Sequence, residues 1–139
     1  MIIKQLSIFL NNEIGRFTEV TRILAEAGVN LQAFTLSEVS DFGILRLITD
    51  NNEKAIAILQ ENSYAVSTTD VVYIELPDRP GTLAKSIQKI SDAGISVEYM
   101  YAFSQGNTAS VVIRTDDVRQ CNDVISKEPF QRSLLSQNV

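Results

Sequence analysis

The residues best placed to do chemistry sit in one turn, Leu76-Pro77-Asp78-Arg79-Pro80-Gly81-Thr82-Leu83, between an alternating apolar segment and a helical one. Proline in the first helical turn loses no helical hydrogen bond, and Gly81 removes the side chain that would keep a ligand from the backbone. Exposed amides there, with the partial positive charge of the helix dipole, favour a carboxylate by about 0.3–1 kcal/mol. The chemistry on offer is capture of a small anion; the competing reading is a Pro-Gly turn that only sets chain direction. Arg79 either reaches such an anion or is solvated on the exposed turn.

Other reactive side chains have quieter readings. Asp116-Asp117 resembles an acidic pair for a metal or acid–base work, yet a helix start explains it through capping and dipole complementarity. Cys121, the lone cysteine, lies on an apolar helical stripe and reads as a buried thiol. With no histidine, imidazole ligation and Ser/His or Cys/His catalysis are impossible, and one cysteine allows neither an intrachain disulfide nor a cysteine-only metal cage. No metal and no cofactor are expected. Asp, Glu, Lys and Tyr could still do acid–base work, but no convergent set of them is visible.

Composition narrows the partners. The 139 residues carry a net charge of −5, and acidic residues outnumber basic ones in both halves, so neither half offers a footprint for nucleic acid or an anionic membrane. Tyr99, Tyr101 and Phe103 could stack on bases, but modules that do so place aromatics on central strands within a basic surface, whereas Gly43 to Asp50 and Ala109 to Asp116 contain no aromatic residue and the chain is acidic. Met1-Ile2-Ile3-Lys4-Gln5-Leu6 does not read as a signal peptide, and no span approaches about twenty apolar residues. A cytoplasmic location is expected.

The elements that must position the turn are written twice. A shift of sixty-six residues lays Leu10 to Asp50 on Leu76 to Asp116 without a gap, pairing Gly15 with Gly81, Ala27-Gly28 with Ala93-Gly94 and Thr49-Asp50 with Thr115-Asp116. Units this long each hold a small core, so two like domains in tandem, 1–68 and 69–139, are expected. In each, an alternating strand (Leu6, Ile8, Leu10; Val72, Ile74, Leu76) precedes a helix with apolar residues three and four apart (Phe17, Val20, Leu24, Ala27; Leu83, Ile87, Ile90, Ala93). Gly28 and Gly94, each followed by an apolar residue, predict Schellman stops.

Beyond those stops come a strand near Asn30 to Glu38, a turn at Ser40-Asp41-Phe42-Gly43 and a strand with Leu45 and Leu47. The copy has Ser96 to Ser104, Gln105-Gly106-Asn107, and Val111 with Ile113. Asp50 and Asp116 are placed to start second helices, carrying Ala55, Ile58 and Leu59 or Val118, Cys121 and Ile125. Tyr64-Ala65-Val66 closes the first unit and Pro129-Phe130-Gln131 is the weaker counterpart. The order strand, helix, strand, strand, helix, strand predicts an α+β fold: two ferredoxin-like βαββαβ sandwiches in tandem, each an antiparallel sheet with both helices on one face.

The other face is more apolar than solvent favours. It should carry Ser7, Phe9, Ile44, Arg46 and Ile48 in the first unit and Val71, Tyr73, Val112 and Arg114 in the second. Such faces are expected to pack on each other, on a second chain, or both, and a homodimer is expected. Arg46 and Arg114 then read as interface salt bridges, with ligand contact the lesser alternative.

Asp78-Arg79-Pro80-Gly81-Thr82-Leu83 followed by Ala93-Gly94-Ile95-Ser96 resembles the signature of ACT domains, small effector-binding modules of amino-acid metabolism. Asn12-Glu13-Ile14-Gly15-Arg16-Phe17 and Ala27-Gly28-Val29-Asn30 match it more loosely, with Ile14 for Pro80 and Asn12 for Asp78. The resemblance spans nearly the whole chain. It implies an amino acid held where two such domains meet, between the strand-to-helix turn of one and the start of the second strand of the other. By position, the implied residues are Asn12, Ile14, Gly15, Arg16 and Phe17, or Asp78, Pro80, Gly81, Thr82 and Leu83. Opposite them would be Asn30, Leu31 and Gln32, or Ser96, Val97 and Glu98. The resulting expectation is a non-catalytic regulatory protein with a free amino acid as effector and an enzyme of amino-acid metabolism as a candidate partner. The alternatives are a protein-interaction module without a small ligand, and a small enzyme.

Overall fold

The chain folds into two units, Lys4–Thr69 and Asp70–Val139 together with Met1–Ile3, in a computed structural model that describes residues 1–39 and 41–125. The first unit contains β1 (Ile2–Asn11), α1 (Arg16–Glu26), β2 (Leu31–Val39), β3 (Phe42–Thr49), α2 (Asn52–Glu61) and the start of β4 (Ala65–Pro77). The second contains the rest of β4, then α3 (Thr82–Asp92), β5 (Val97–Gln105), β6 (Thr108–Thr115) and α4 (Val118–Ile125). A closing strand at Tyr64-Ala65-Val66 and a new one from Val72 were expected, yet a single strand runs through both. The intervening Ser67-Thr68-Thr69 contains β-branched residues and no glycine or proline to break it.

In the first unit β1 lies between β3 and β4, and β2 is paired on the far side of β3. β1 and β2 both run antiparallel to β3, with Leu6 opposite Leu47, Leu10 opposite Gly43 and Glu38 also opposite Gly43. Leu6, Ile8, Leu10, Leu45 and Leu47 point to the helices, where Val20, Ile23 and Leu24 of α1 and Ala55 and Leu59 of α2 complete a buried core. Apolar residues alternate along these strands and recur at three- and four-residue spacing along the helices, which is why one face of each is buried.

The second unit repeats this. β6 lies between β4 and β5, with Val72 opposite Ile113 and Leu76 opposite Ala109. Val72, Ile74, Leu76, Val111 and Ile113 meet Ile90 of α3 and Cys121 and Ile125 of α4. Beside β4 lies Met1: the Tyr73 N–H donates to its carbonyl at 2.8 Å, and its ammonium donates to the Tyr73 carbonyl at 3.1 Å. The counterpart closing strand expected at Pro129-Phe130-Gln131 lies outside the described residues.

Both Schellman stops form as expected. Gly28 and Gly94 have φ of 76° and 74°. The Val29 and Ile95 N–H groups reach back to Leu24 and Ile90 carbonyls at 2.9 and 3.2 Å.

The second helix starts differ from expectation by one residue. Asn51 caps α2, accepting from Lys54 N–H at 3.1 Å, and Asp117 accepts from Gln120 N–H at 3.0 Å. Asp50 and Asp116 instead accept from the N–H groups of Asn30 and Ser96 at 2.9 and 3.0 Å. Their own N–H groups return bonds to the carbonyls of those same residues. A carboxylate here satisfies a loop amide that no strand pairs, which outweighs a cap that the next residue supplies.

On the face away from the helices, Ser7, Ile48, Val71, Tyr73 and Val112 are buried, whereas Phe9 stays about half exposed beside the Phe42 ring at 5.9 Å. The arginines of that face find partners in their own units. Arg46 donates to Ser37 Oγ at 3.2 Å. Arg114 lies 3.4 Å from the Glu98 carboxylate and donates to the Asp70 carbonyl at 2.8 Å, so the interface bridge expected for it is an internal one. Among the described residues, no helix is long and apolar enough to cross a membrane.

Candidate functional site

The strand-to-helix turn of the first unit opens a cleft of about 230 Å³. Its floor is the helix-side face of the sheet where β1, β3 and β2 end together, with Leu10, Gly43 and Leu36 in adjacent strands. Phe17 enters from the first turn of α1 and stacks at a tilt on Phe34, ring centres 6.2 Å apart. The polar lining comes from Asn11, Asn12, Glu13 and Arg16 of the turn and from Ser37 and Glu38 at the end of β2.

Arg16 is the cleft's cation. It donates to Glu13 at 2.9 Å and lies 4.0 Å from the Glu19 carboxylate, which also accepts from the Tyr64 hydroxyl at 2.6 Å. Hydrogen bonding to Tyr64, then the nearby Glu13 carboxylate, holds the guanidinium pKa above its usual value, so the group stays charged. Glu13 and Tyr64 together do not exhaust its five N–H donors. The exposed Glu38 side chain has no ion-pair or hydrogen-bond partner among the described residues. The cleft therefore combines a partly engaged cation with an unengaged anion.

The helix start adds to the cation. Gly15 occupies the N-cap of α1 at φ 89° and ψ −3°, and no side chain caps it. Gly81 does the same for α3 at φ 91° and ψ −16°. Both glycines are thus required by a left-handed backbone, a reason additional to the open space for a ligand that the sequence suggests. A Cβ at either would meet nothing within 4 Å.

The predicted residues divide as follows. Asn12, Arg16 and Phe17 line the cleft, while Gly15 shapes the turn behind it. Ile14, in the position of Pro80, projects into solvent. Asn30, Leu31 and Gln32 lie at the opposite end of the first unit's sheet, where Leu31 pairs with Thr49, so within this unit they do not meet the turn. In the second unit Asp78, Pro80 and Gly81 are exposed. Thr82 donates to the Pro77 carbonyl at 2.7 Å, with the Arg79 carbonyl at 3.1 Å, and Leu83 is 41 % exposed. Ser96 is held by Asp116, and Val97 and Glu98 begin β5 at the end of the sheet away from that turn.

Two features escape a linear reading. Gln32 and Glu98 are each the extra residue of a β-bulge, at equivalent places in the two units, where the partner strand advances by one residue and theirs by two. Leu36, Ser37, Glu38 and Gly43 join the cleft because β2 runs parallel to β1 across β3, carrying its last residues to the β1–α1 turn. Strand order and hairpin register could have placed them there; the repeat signature could not.

The chain matches the ACT domain pair family over residues 1–134. It belongs to that family. No curated protein matches it in sequence. Among solved structures, protein BT0572 from Bacteroides thetaiotaomicron is 44 % identical, with 99 % of this chain and 96 % of that one covered and a TM-score of 0.92. The ligand-free regulatory subunit of aspartate kinase from Thermus thermophilus shares the fold at 13 % identity, covering 91 % of this chain and 96 % of that one, with a TM-score of 0.65. The corresponding subunit from Thermus flavus is 14 % identical at 91 % and 94 % coverage, with a TM-score of 0.62. As an ACT pair the chain keeps the glycine turn in both units, but the charged cleft described here is built from the first unit's own residues, Arg16 and Glu38; the copy has Thr82 and Ser104 in their places.

Proposed function

We propose that this ACT pair is an amino-acid-responsive regulatory protein, that it performs no catalysis of its own, and that a free α-amino acid docks at the strand-to-helix turn of the first unit. The observation that carries this reading is the pairing, in one cleft, of Arg16 with the unengaged carboxylate of Glu38. A zwitterion needs both: its α-carboxylate faces Arg16 and the uncapped start of α1, and its α-ammonium faces Glu38. The second unit's Asp78-Arg79-Pro80-Gly81-Thr82-Leu83 turn is the corresponding place for a second effector molecule.

Two structural relatives are named as regulatory subunits of aspartate kinase, which supports an enzyme of amino-acid metabolism as the partner. We infer a homodimer as the working unit, supported by the exposed rings of Phe9, Phe34 and Phe42. A ligand of about ten heavy atoms at roughly −0.5 kcal/mol per atom binds in the high-micromolar to millimolar range, suited to sensing a metabolite pool. Coupling requires that it favour one arrangement of the protein over another.

The test is a thermal-shift screen against the twenty amino acids at about 10 mM, repeated on Arg16→Ala. A selective rise in melting temperature that Arg16→Ala abolishes is the expected result. No shift with any amino acid, upheld by calorimetry, would leave a protein-interaction module as the better reading.

A further inference from the structure

The cleft also carries information about which amino acid it admits. Its floor is apolar: Leu10 and Leu36 flank Gly43, and Phe17 stands beside them. A Cβ on Gly43 would lie 3.5 Å from Leu36 Cδ1, 3.6 Å from the Ser37 carbonyl and 4.0 Å from Leu10 Cβ. Unlike Gly15 and Gly81, Gly43 does not have a positive φ, so its backbone conformation is open to any residue. The copy confirms that the fold accepts a side chain there, since Ala109 occupies the equivalent place, opposite Leu76 as Gly43 is opposite Leu10. The copy also has Ala102 for Leu36. The bare floor with a leucine wall therefore belongs to the first unit alone.

We propose that this cleft is selective for an uncharged, aliphatic α-amino acid of leucine or isoleucine size, and that the missing side chain at Gly43 sets the size limit. The proposal rests on the effector reading above and specifies its ligand. A cleft of about 230 Å³ admits a small amino acid, and Gly43 with Leu36 shapes the part of it that the side chain would occupy. The charged lining is matched by the α-carboxylate and α-ammonium, leaving the side chain to the floor. An acidic side chain would bring a second carboxylate among Glu13 and Glu38, and a charged group of either sign laid on Leu10, Leu36 and Phe17 would lose water there without gaining a hydrogen-bond partner from the floor.

Calorimetry on the full chain tests this with L-leucine, L-isoleucine, L-valine, L-aspartate and L-lysine, using wild type, Gly43→Ala and Leu36→Ala. Leucine and isoleucine bind the wild type, and aspartate and lysine give no heat at about 10 mM. Gly43→Ala lowers the leucine-to-valine affinity ratio at least about fivefold, as a one-methylene change in an apolar pocket does. Leu36→Ala, which truncates a half-exposed side chain, weakens leucine at least about fivefold. An unchanged leucine-to-valine ratio in Gly43→Ala overturns the size limit. Binding of aspartate or lysine that Arg16→Ala abolishes overturns the aliphatic preference while the effector reading stands. Silence from every amino acid removes the effector reading and this proposal with it.

Discussion

Alanine at Gly15 and Gly81 separates two reasons for a glycine. Both residues hold φ near 90°, and an added Cβ would meet no atom within 4 Å, so the penalty comes entirely from the residue's own backbone. That strain is about 1–3 kcal/mol, less the roughly 0.4–1 kcal/mol that a stiffer unfolded chain returns. Gly15→Ala and Gly81→Ala should each lose about 1–2 kcal/mol. At about 2–6 °C per kcal/mol for a chain of this size, the melting temperature falls by several degrees without any ligand present. Asparagine, which enters the left-handed region more readily, should lose less than alanine at both places. Gly43→Ala is the internal control, expected within about 0.5 kcal/mol of wild type because its backbone carries no such demand. Urea titration and thermal melts read all of these. Wild-type stability in Gly15→Ala and Gly81→Ala would refute the backbone argument and leave ligand approach as the sole reason for both glycines.

Asp116→Ala should destabilise the second unit by about 1 kcal/mol in urea titration, through the Ser96 amide it leaves unpaired, and that amide should lose protection in hydrogen exchange. Asp117→Ala should lose about 0.5–2 kcal/mol as an N-cap, read as reduced helicity at the start of α4 by backbone chemical shifts. Leu59→Ala, at a fully buried position of α2, should cost about 2–5 kcal/mol in the same titration. Burial raises the pKa of Cys121 above 9.0, and burial followed by the Glu19 hydrogen bond raises that of Tyr64 above 10.0. The folded chain therefore holds these protons to higher pH than the unfolded one. Their contribution is fully present below about pH 9 and is lost as pH rises beyond it, whereas the Met1 ammonium, whose pKa burial lowers from 8.0, adds stability as pH rises toward 8, so urea midpoints should rise slightly from about pH 7 to 8.5 and fall by about pH 10.5.

Much of the fold was legible because its signals are local and occur twice. Alternation at Leu6-Ile8-Leu10, the three-and-four spacing in α1 and α3, and the Gly28 and Gly94 stops each depend on a few neighbouring residues. The cap was misplaced from Asp50 to Asn51 because an aspartate before a helix has two outlets, the first-turn amides and a loop amide distant in sequence. Only the tertiary structure brings Asn30 within reach of the second. The site was half legible for the same reason. Asn12, Arg16 and Phe17 lie in the motif, whereas Glu38, Leu36 and Gly43 reach the cleft through strand order. Glu98, expected at a ligand contact, is set beside Arg114 by a bulge that the sequence pattern does not announce.

The reciprocal bonds between Asn30 and Asp50, and between Ser96 and Asp116, bear on how a duplicated chain sorts itself during folding. Each pair clasps the base of its own β2–β3 or β5–β6 hairpin, so the hairpin is closed at both ends by contacts no more than about twenty residues apart. Hairpins zip in about 1–10 μs, well before more distant strands meet. In a chain whose second half imitates its first, a strand of one copy can compete for the partner of the other, a route to swapped and misassembled repeats. A hairpin that has already latched its own ends cannot exchange β2 for β5, which leaves the β3–β1 and β6–β4 pairings to be found. The aspartate present in both copies thus ties each hairpin to its own strands as well as anchoring a loop.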